Sequence, residues 1–316
     1  MSGFITALKS GGPILTDGGI ETRVMFETDY RLDPDVQVAA MLGDPVGRAH
    51  LDSIYSSYVE VANEFDLPVV IGTPTFRASA NFAGRAGIGT LELATMNADA
   101  VEFQIAVREA VGHSPVLIAG VIGPSGDAYL PGESAGIDAA AGYHRDQAAW
   151  LADAGADFLF AATFPAVGEA TGAARAMAET GLPFVISFVL DAEGSVLDGT
   201  ALAAAIGSID EALDRAPEIY SISCVHPSVA ARAIARLRAE DPQVLSRVGE
   251  LKANGSPLPT ERLIELGHPE SDPPVALAEE IWSLFDPAGL RVLGGCCGTT
   301  DAHMRALAAR MAAAAA

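Results

Sequence analysis

The sequence is short of basic residues, cysteine and aromatic side chains. Its 316 residues include 19 Lys or Arg against 41 Asp or Glu, which gives a formal net charge of −22. A surface of that sign repels phosphate backbones and anionic lipids, so we expect neither nucleic acids nor membranes as partners.

No apolar run reaches the ~18–20 residues that cross a bilayer. The first residues lack the basic start and long apolar stretch of a signal peptide. We therefore expect a soluble cytoplasmic protein.

Hydrophobic residues make up 50% of the chain and charged residues 19%. This composition supplies a large core and excludes a disordered or fibrous chain. The length exceeds the usual size of one compact domain, but single β/α barrels commonly reach it. No linker and no short-period repeat marks a boundary, so we expect one domain over residues 1–316.

Short apolar, β-branched runs alternate with longer stretches rich in Ala and Leu. The runs predict strands at residues 13–17, 69–76, 116–123, 158–164, 184–190, 219–226, 248–254 and 291–298. The stretches between and after them predict helices at residues 49–65, 90–111, 139–154, 169–180, 201–216, 229–239, 274–285 and 301–315. Nearly continuous apolar strands joined by helical crossovers are typical of a parallel sheet that is covered on both faces. Repetition of this unit favours an α/β fold, a (β/α)8 TIM barrel of one domain, with a doubly wound open sheet as the alternative.

All three cysteines lie where predicted strands end. Cys224 is near the end of the sixth strand, and Cys296 and Cys297 are at the end of the eighth, in a glycine-rich segment. The C-terminal ends of barrel strands converge on one mouth, where function collects. An odd number of cysteines in a cytoplasmic chain argues against a disulfide framework. Three thiolates with a fourth position open are the arrangement expected of a catalytic zinc ion.

Other interpretations of these cysteines remain open. A lone buried cysteine is usually a small hydrophobic residue. A vicinal disulfide between Cys296 and Cys297 would need strained geometry and an oxidising compartment. His226 lies close to Cys224 in the sequence and is a candidate fourth ligand. The metal interpretation is favoured because no cysteine lies elsewhere and two are adjacent between glycines.

With these motifs the chain resembles the zinc-dependent homocysteine S-methyltransferases. The resemblance covers nearly the whole chain. It rests on Cys224, on Asp-Gly-Gly at 17–19, on Gly-Val-Ile-Gly-Pro at 120–124 and on the highly specific Gly-Gly-Cys-Cys-Gly-Thr at 294–299. The resemblance implies a TIM barrel, Zn²⁺ held by Cys224, Cys296 and Cys297, and Asp17 as a substrate-binding residue.

The resemblance also implies a reaction. The family moves a methyl group from a sulfonium, ammonium or folate-type donor to a thiol, usually homocysteine. We therefore expect S-methylmethionine or S-adenosylmethionine as donor and homocysteine or a related thiol as acceptor, giving methionine or another thioether. A free thiol has a pKa of ~8.5, and binding to zinc would ionise it at neutral pH. These partners are small molecules, and the sequence leaves open whether the protein is a homo-oligomer.

Three positions depart from the family's pattern. Ala162 stands where the family has an acidic residue associated with the amino group of homocysteine. Ser223 replaces the usual Asn before Cys224, and strand two reads Thr73-Pro-Thr75 where Thr-Asn-Thr is common. We expect Thr73, Thr75, Ala162 and Ser223 to line the acceptor site together with Asp17.

The departure at Ala162 weakens the case for homocysteine as the specific acceptor, because a buried ammonium without an acid is costly. Asp17 could bind the amine alone, or with Glu21 or Glu169. Two alternatives therefore stay open. One is a methyltransferase of the same fold with a betaine-, corrinoid- or folate-linked donor or a different acceptor. The other is a zinc-binding barrel that has lost catalysis and acts as a partner or regulatory protein.

Overall fold

Eight parallel strands close into a barrel in which each strand pairs with the next and the last pairs with the first. The computed structural model describes residues 3–111, 115–258, 262–263, 266–286 and 289–315. The strands are β1 Ile14–Thr16, β2 Val69–Gly72, β3 Val116–Ile122, β4 Phe158–Phe164, β5 Phe184–Phe188, β6 Ile219–Val225, β7 Val248–Ala253 and β8 Val292–Gly295. This topology confirms the single-domain TIM barrel and excludes the open sheet.

The predicted helices are all present; those at 90–111 and 301–315 have the predicted bounds, and the others have shifted ends. In chain order the helices are α1 Gly3–Ser10, α2 Glu21–Glu27, α3 Pro45–Glu64, α4 Ala80–Arg85, α5 Thr90–Val111, α6 Ile137–Asp153, α7 Val167–Glu179, α8 Leu202–Ala212, α9 Pro227–Glu240, α10 Pro242–Leu245, α11 Pro274–Trp282 and α12 Asp301–Ala315. In the described part of the chain, none of them is long and apolar enough to span a membrane.

The differences at element ends have local causes. Helix α3 begins four residues before its predicted start because the Asp44 side chain accepts a hydrogen bond of 2.9 Å from Gly47 N, with a proline at the first helical position. Strand β2 ends at Gly72 rather than at residue 76. After Gly72 the chain turns, and the Thr75 backbone N–H donates to Thr73 O. The Thr73-Pro-Thr75 segment therefore lies in the loop after β2, at the barrel mouth.

Helix α1 covers the N-terminal end of the barrel. Phe4 and Leu8 pack with inward-facing residues at the starts of the strands. The Phe4 ring stacks on the Phe158 ring, with centroids 3.8 Å apart. This apolar plug leaves the opposite end, the mouth, as the end at which strand-terminal side chains are accessible.

The barrel interior becomes polar below the mouth. Glu250 and Lys252 are two residues apart on β7, so both point into the interior. Lys252 Nζ forms an ion pair with Asp17. Burial raises the pKa of Glu250 to about 7, although the Lys252 charge and a hydrogen bond with Ser221 oppose the rise. Ionisation of Glu250 inside the barrel therefore destabilises the folded protein.

Replacing Glu250 with Gln should stabilise the metal-free protein more at about pH 8 than at about pH 5. The folded-state pKa of Glu250, about 7, lies above its ordinary value of 4.5. The stabilisation that wild-type Glu250 contributes is therefore fully present below pH 4.5. It is lost as the pH rises through about 7. The gain in the free energy of unfolding should grow by roughly 1–3 kcal/mol between the two pH values, measured by urea denaturation. Glu60→Gln, an exposed change on α3, is the control; a gain for Glu250→Gln that is the same at both pH values would contradict the prediction.

Candidate metal centre

The structure brings the three cysteine side chains together at the barrel mouth. Their sulfur atoms all lie within 4.8 Å of one another, and the Sγ atoms of Cys224 and Cys297 are 3.6 Å apart. Cys224 is buried, whereas Cys296 and Cys297 are half-buried. All three are free thiols, so no vicinal disulfide is formed. The cluster therefore has a buried side on β6 and a side that faces the mouth.

The backbone at Cys224 adopts a conformation that is rare for a residue with a side chain. Its φ is +58°, in the left-handed region. The β6–β7 ladder shifts register between Ser223 and Val225, and the Asn254 side chain donates a hydrogen bond of 2.9 Å to the Cys224 carbonyl oxygen. Strained backbone of this kind persists where the surroundings over-determine it, which is common at functional sites. Here the strain turns the Cys224 sulfur toward the other two.

The loop at residues 296–299 is fixed by hydrogen bonds to neighbouring strands. Cys296 N donates to Ala253 O at 2.7 Å, and Gly255 N donates to Cys297 O at 2.9 Å. The Thr299 hydroxyl donates to Cys296 O at 2.7 Å. A Cβ atom at Gly295 would lie 2.1 Å from Thr299 Oγ1, so only glycine allows this close packing. The adjacent cysteines are thereby held in place by the glycine-rich motif.

The three thiols titrate together. Hydrogen bonds with Cys296 and Cys297 lower the pKa of Cys224 well below that of an ordinary thiol. The hydrogen bond with Cys224 raises the pKa of Cys296 to about 12, and it likewise raises the pKa of Cys297. Without a metal ion, one thiol of the cluster therefore ionises readily, whereas ionisation of the second and third thiols is unfavourable. A divalent cation would remove that resistance, so this soft, three-sulfur donor set fits zinc.

Tyr129 contacts the cluster directly. Its hydroxyl oxygen lies 2.9 Å from Cys224 Sγ, and because this hydrogen bond helps to lower the pKa of Cys224, the phenol is the donor. Burial raises the pKa of Tyr129, and the charge of Cys224 raises it further, so the phenol remains a donor. Tyr129 lies in the loop after β3, which thereby reaches over to the end of β6.

Asp17 lies beside the cluster, but its carboxylate is already paired. Its Oδ2 atom accepts a hydrogen bond of 2.7 Å from Gly72 N, and its Oδ1 atom pairs with Lys252. Burial disfavours the Lys252 ammonium, but the charges of Asp17 and Glu250 outweigh that effect and raise its pKa. The role of Asp17 in substrate binding stays a prediction, and in this structure the residue joins β1, β2 and β7.

The other predicted acceptor-site residues lie on neighbouring strands and loops. Thr73 and Thr75 share a hydrogen bond of 2.7 Å, and both bond to the Val121 backbone. Ser223 Oγ accepts from Ser187 at 2.5 Å. Ala162, on β4, packs in the apolar cluster inside the barrel. The hydroxyl groups are thus engaged within the barrel wall, and the assignment of these residues to the acceptor site remains a prediction.

The His226 ring bonds to residues outside the cysteine cluster. Its Nδ1 atom lies 2.9 Å from Ser228 Oγ, and its Nε2 atom lies 3.0 Å from Asp272 Oδ2. It also caps α9 by accepting from Ser228 N. Because both ring nitrogens are engaged at the start of α9, the geometry disfavours His226 as a fourth ligand of the cysteine cluster.

Sequence reasoning missed the roles of Lys252 and Tyr129. A signal for Lys252 was present: it and Glu250 occupy alternate positions of an otherwise apolar predicted strand, which places both charges inside the barrel. No comparable signal indicated that Tyr129, in a long loop, contacts Cys224. That contact depends on how the loop folds.

Comparisons with known proteins identify the family of the chain. The profile of the homocysteine S-methyltransferase family matches residues 14–311. The homocysteine S-methyltransferase of Escherichia coli (strain K12) is 28% identical over 256 residues, which cover 75% of this chain and 78% of that protein. Crystal structures of the E. coli homocysteine methyltransferase MmuM share the fold at 20% identity, with TM-scores of 0.76 for the metallated form and 0.70 for the apo form. The alignment with the metallated form covers 97% of this chain and 99% of that one. The alignment with the apo form covers 96% of this chain and 97% of that one. The chain therefore belongs to the homocysteine S-methyltransferase family.

Proposed function

We propose that this protein is a zinc-dependent S-methyltransferase. It transfers a methyl group from a sulfonium donor, S-methylmethionine or S-adenosylmethionine, to homocysteine or a related thiol. The observation that carries the proposal is the convergence of Cys224, Cys296 and Cys297, whose sulfur atoms lie within 4.8 Å of one another at the barrel mouth. Family membership supports the reaction class, and the name of the E. coli relative supports homocysteine as acceptor.

Cys224, Cys296 and Cys297 would hold the zinc ion. When bound, zinc supplies Lewis-acid activation, which ionises a thiol at neutral pH. The surrounding residues keep the three sulfurs ready for the ion: Asn254 fixes the Cys224 backbone, and Tyr129 donates to the Cys224 sulfur. Cys224 is buried, whereas Cys296 and Cys297 are half-buried, so the latter two are the more accessible side of the cluster.

The charge of the mouth suits a cationic donor. Asp17, Glu21 and the cysteines bring several anionic groups to one end of the barrel, in a chain of net charge −22. In the proposed reaction a bond forms between the acceptor sulfur and the methyl carbon while the bond from that carbon to the donor sulfur breaks. The donor leaves as a neutral thioether. A thiolate and a sulfonium thus cancel their charges, which a water-poor site favours.

With homocysteine as acceptor, the product is methionine, and the protein belongs to methionine biosynthesis in the cytoplasm. The test is a matrix of donors and acceptors. Zinc-loaded protein is incubated with S-methylmethionine, S-adenosylmethionine or betaine and a panel of thiols, and mass spectrometry identifies the products. We expect a methylated thiol with a sulfonium donor. Zinc-loaded protein that methylates no thiol would support the non-catalytic alternative and contradict the proposal.

Serine substitution at any of the three cysteines should release the metal. We expect about one zinc ion per wild-type chain and an at least roughly 100-fold loss of affinity in C224S, C296S or C297S, measured by chelator competition. Ser246→Ala is the control, because this exposed hydroxyl group lies just before β7, at the opposite end of the barrel. A cysteine variant that keeps wild-type affinity would remove that residue from the proposed ligand set.

Replacing Tyr129 with Phe should make the first thiolate of the metal-free cluster harder to form. The variant loses the hydroxyl group that donates to Cys224 Sγ, and a hydrogen bond to a charged group is worth roughly 1.5–3 kcal/mol. The thiolate fraction at a fixed pH below the transition should therefore fall about tenfold, followed by ultraviolet thiolate absorbance. Tyr143→Phe, whose hydroxyl group bonds to Ser79, should leave the thiolate titration unchanged. Identical titrations for Tyr129→Phe and wild type would contradict the assignment.

A further inference from the structure

The acceptor site lacks an available acid at the two positions that the family resemblance assigns to substrate. Ala162 supplies only a methyl group on β4. Asp17 accepts from Gly72 N with one oxygen and pairs with Lys252 through the other. A substrate ammonium beside Asp17 would meet the Lys252 ammonium at the same carboxylate. An amino-acid acceptor therefore needs a different acidic partner.

Glu21 is an acid on the segment that packs against the loop of Cys296 and Cys297, and it has no ion-pair partner among the described residues. Its segment docks on the loop at 296–299: Gly19 N donates to Thr299 O at 3.2 Å, and Gly298 N donates to Thr22 Oγ1 at 3.2 Å. Its carboxylate is near enough to Cys296 and Asp17 to be repelled by their charges. Burial raises the pKa of Glu21, and its own backbone N–H partly offsets the rise. Among the described residues, no side chain forms an ion pair with it.

Arg77 is the matching cation. It follows β2, the strand that pairs with β1, so it lies on the same side of the mouth as Glu21. Its guanidinium group lies 4.9 Å from the centre of the Phe82 ring. The charge of Arg77 acts on Glu21, but the two residues form no ion pair. Within the ranges that the structure describes, the Arg77 guanidinium makes no hydrogen bond.

We propose that Glu21 and Arg77 bind the α-ammonium and the α-carboxylate of an amino-acid thiol, with Glu21 in place of the acid that position 162 lacks. This inference rests on the proposed function, because the sulfur of the same molecule is taken to lie at the cysteine cluster. It makes the acceptor a zwitterion and assigns its recognition to the start of α2 and the loop after β2.

A zwitterion is the ligand that satisfies both side chains at once. A half-buried charge without a partner loses hydration and gains nothing in return. Arg also presents a planar pair of N–H donors that matches a carboxylate. A thiol that carries only an ammonium would leave Arg77 unpaired, and a thiol that carries only a carboxylate would leave Glu21 unpaired. The site should therefore prefer homocysteine to either analogue.

The test compares three acceptors of one chain length with the zinc-loaded protein. Homocysteine carries both groups, 4-mercaptobutanoate lacks the ammonium, and 3-mercaptopropylamine lacks the carboxylate. Glu21→Gln should lower kcat/KM for homocysteine by roughly 30- to 100-fold and for 4-mercaptobutanoate by less than about threefold. Arg77→Met should show the complementary pattern, a large loss with homocysteine and a small one with 3-mercaptopropylamine.

Two matched variants control for folding and for general electrostatics. Glu27→Gln changes an exposed carboxylate on the same helix α2, and Arg85→Met removes a guanidinium that stacks on the same Phe82 ring at 4.4 Å. Neither should change the preference among the three thiols. Equal losses of Glu21→Gln on homocysteine and 4-mercaptobutanoate, or no loss on either, would overturn the inference.

A binding measurement separates this inference from the proposed function. L-Methionine carries the same ammonium and carboxylate but no free thiol, so calorimetric titration with it needs no turnover. Weaker L-methionine binding by Glu21→Gln and Arg77→Met than by wild type supports the inference even where no thiol is methylated. Unchanged binding in both variants overturns it, whereas absence of turnover with every thiol overturns the proposed function.

Discussion

Three sulfur atoms from two distant parts of the chain meet at one end of a barrel, and the rest of the site is organised around that contact. Cys224 reaches the cluster only because its backbone is held at a φ of +58°, with its carbonyl oxygen bonded to the Asn254 side chain. Cys296 and Cys297 reach it because a glycine-rich loop packs against Thr299. A closed barrel makes this possible, since β6 and β8 end at the same mouth.

The charges inside the barrel would account for a cation at the cluster and for a selective acceptor pocket. Thiolates, Asp17 and Glu21 bring negative charge to a small buried volume, and Lys252 is committed to Asp17. Metal binding would offset most of the charge of the three thiolates, and the substrate's own charged groups would neutralise Glu21 and Arg77. In the proposed function, the acceptor would thus supply the missing counter-charges, and its recognition would be coupled to its activation.

The sequence was sufficient to predict the barrel because parallel strands that are buried on both faces leave a strong pattern. It was also sufficient to bring Cys224, Cys296 and Cys297 to one mouth, since their place at strand ends follows from that pattern. It did not predict that Lys252 pairs with Asp17, because that contact crosses from β7 to β1 and depends on barrel closure. Nor did it predict the contact of Tyr129 with Cys224, which depends on a loop conformation that no periodicity encodes.

X-ray absorption at the zinc edge of the loaded protein tests the central claim most directly, because it counts the atoms bound to the ion. The account predicts three sulfur neighbours at about 2.3 Å and one lighter atom, with a fourth sulfur replacing the lighter atom when homocysteine is added. A zinc ion bound to fewer than three sulfur atoms, or a coordination shell that homocysteine leaves unchanged, would contradict it.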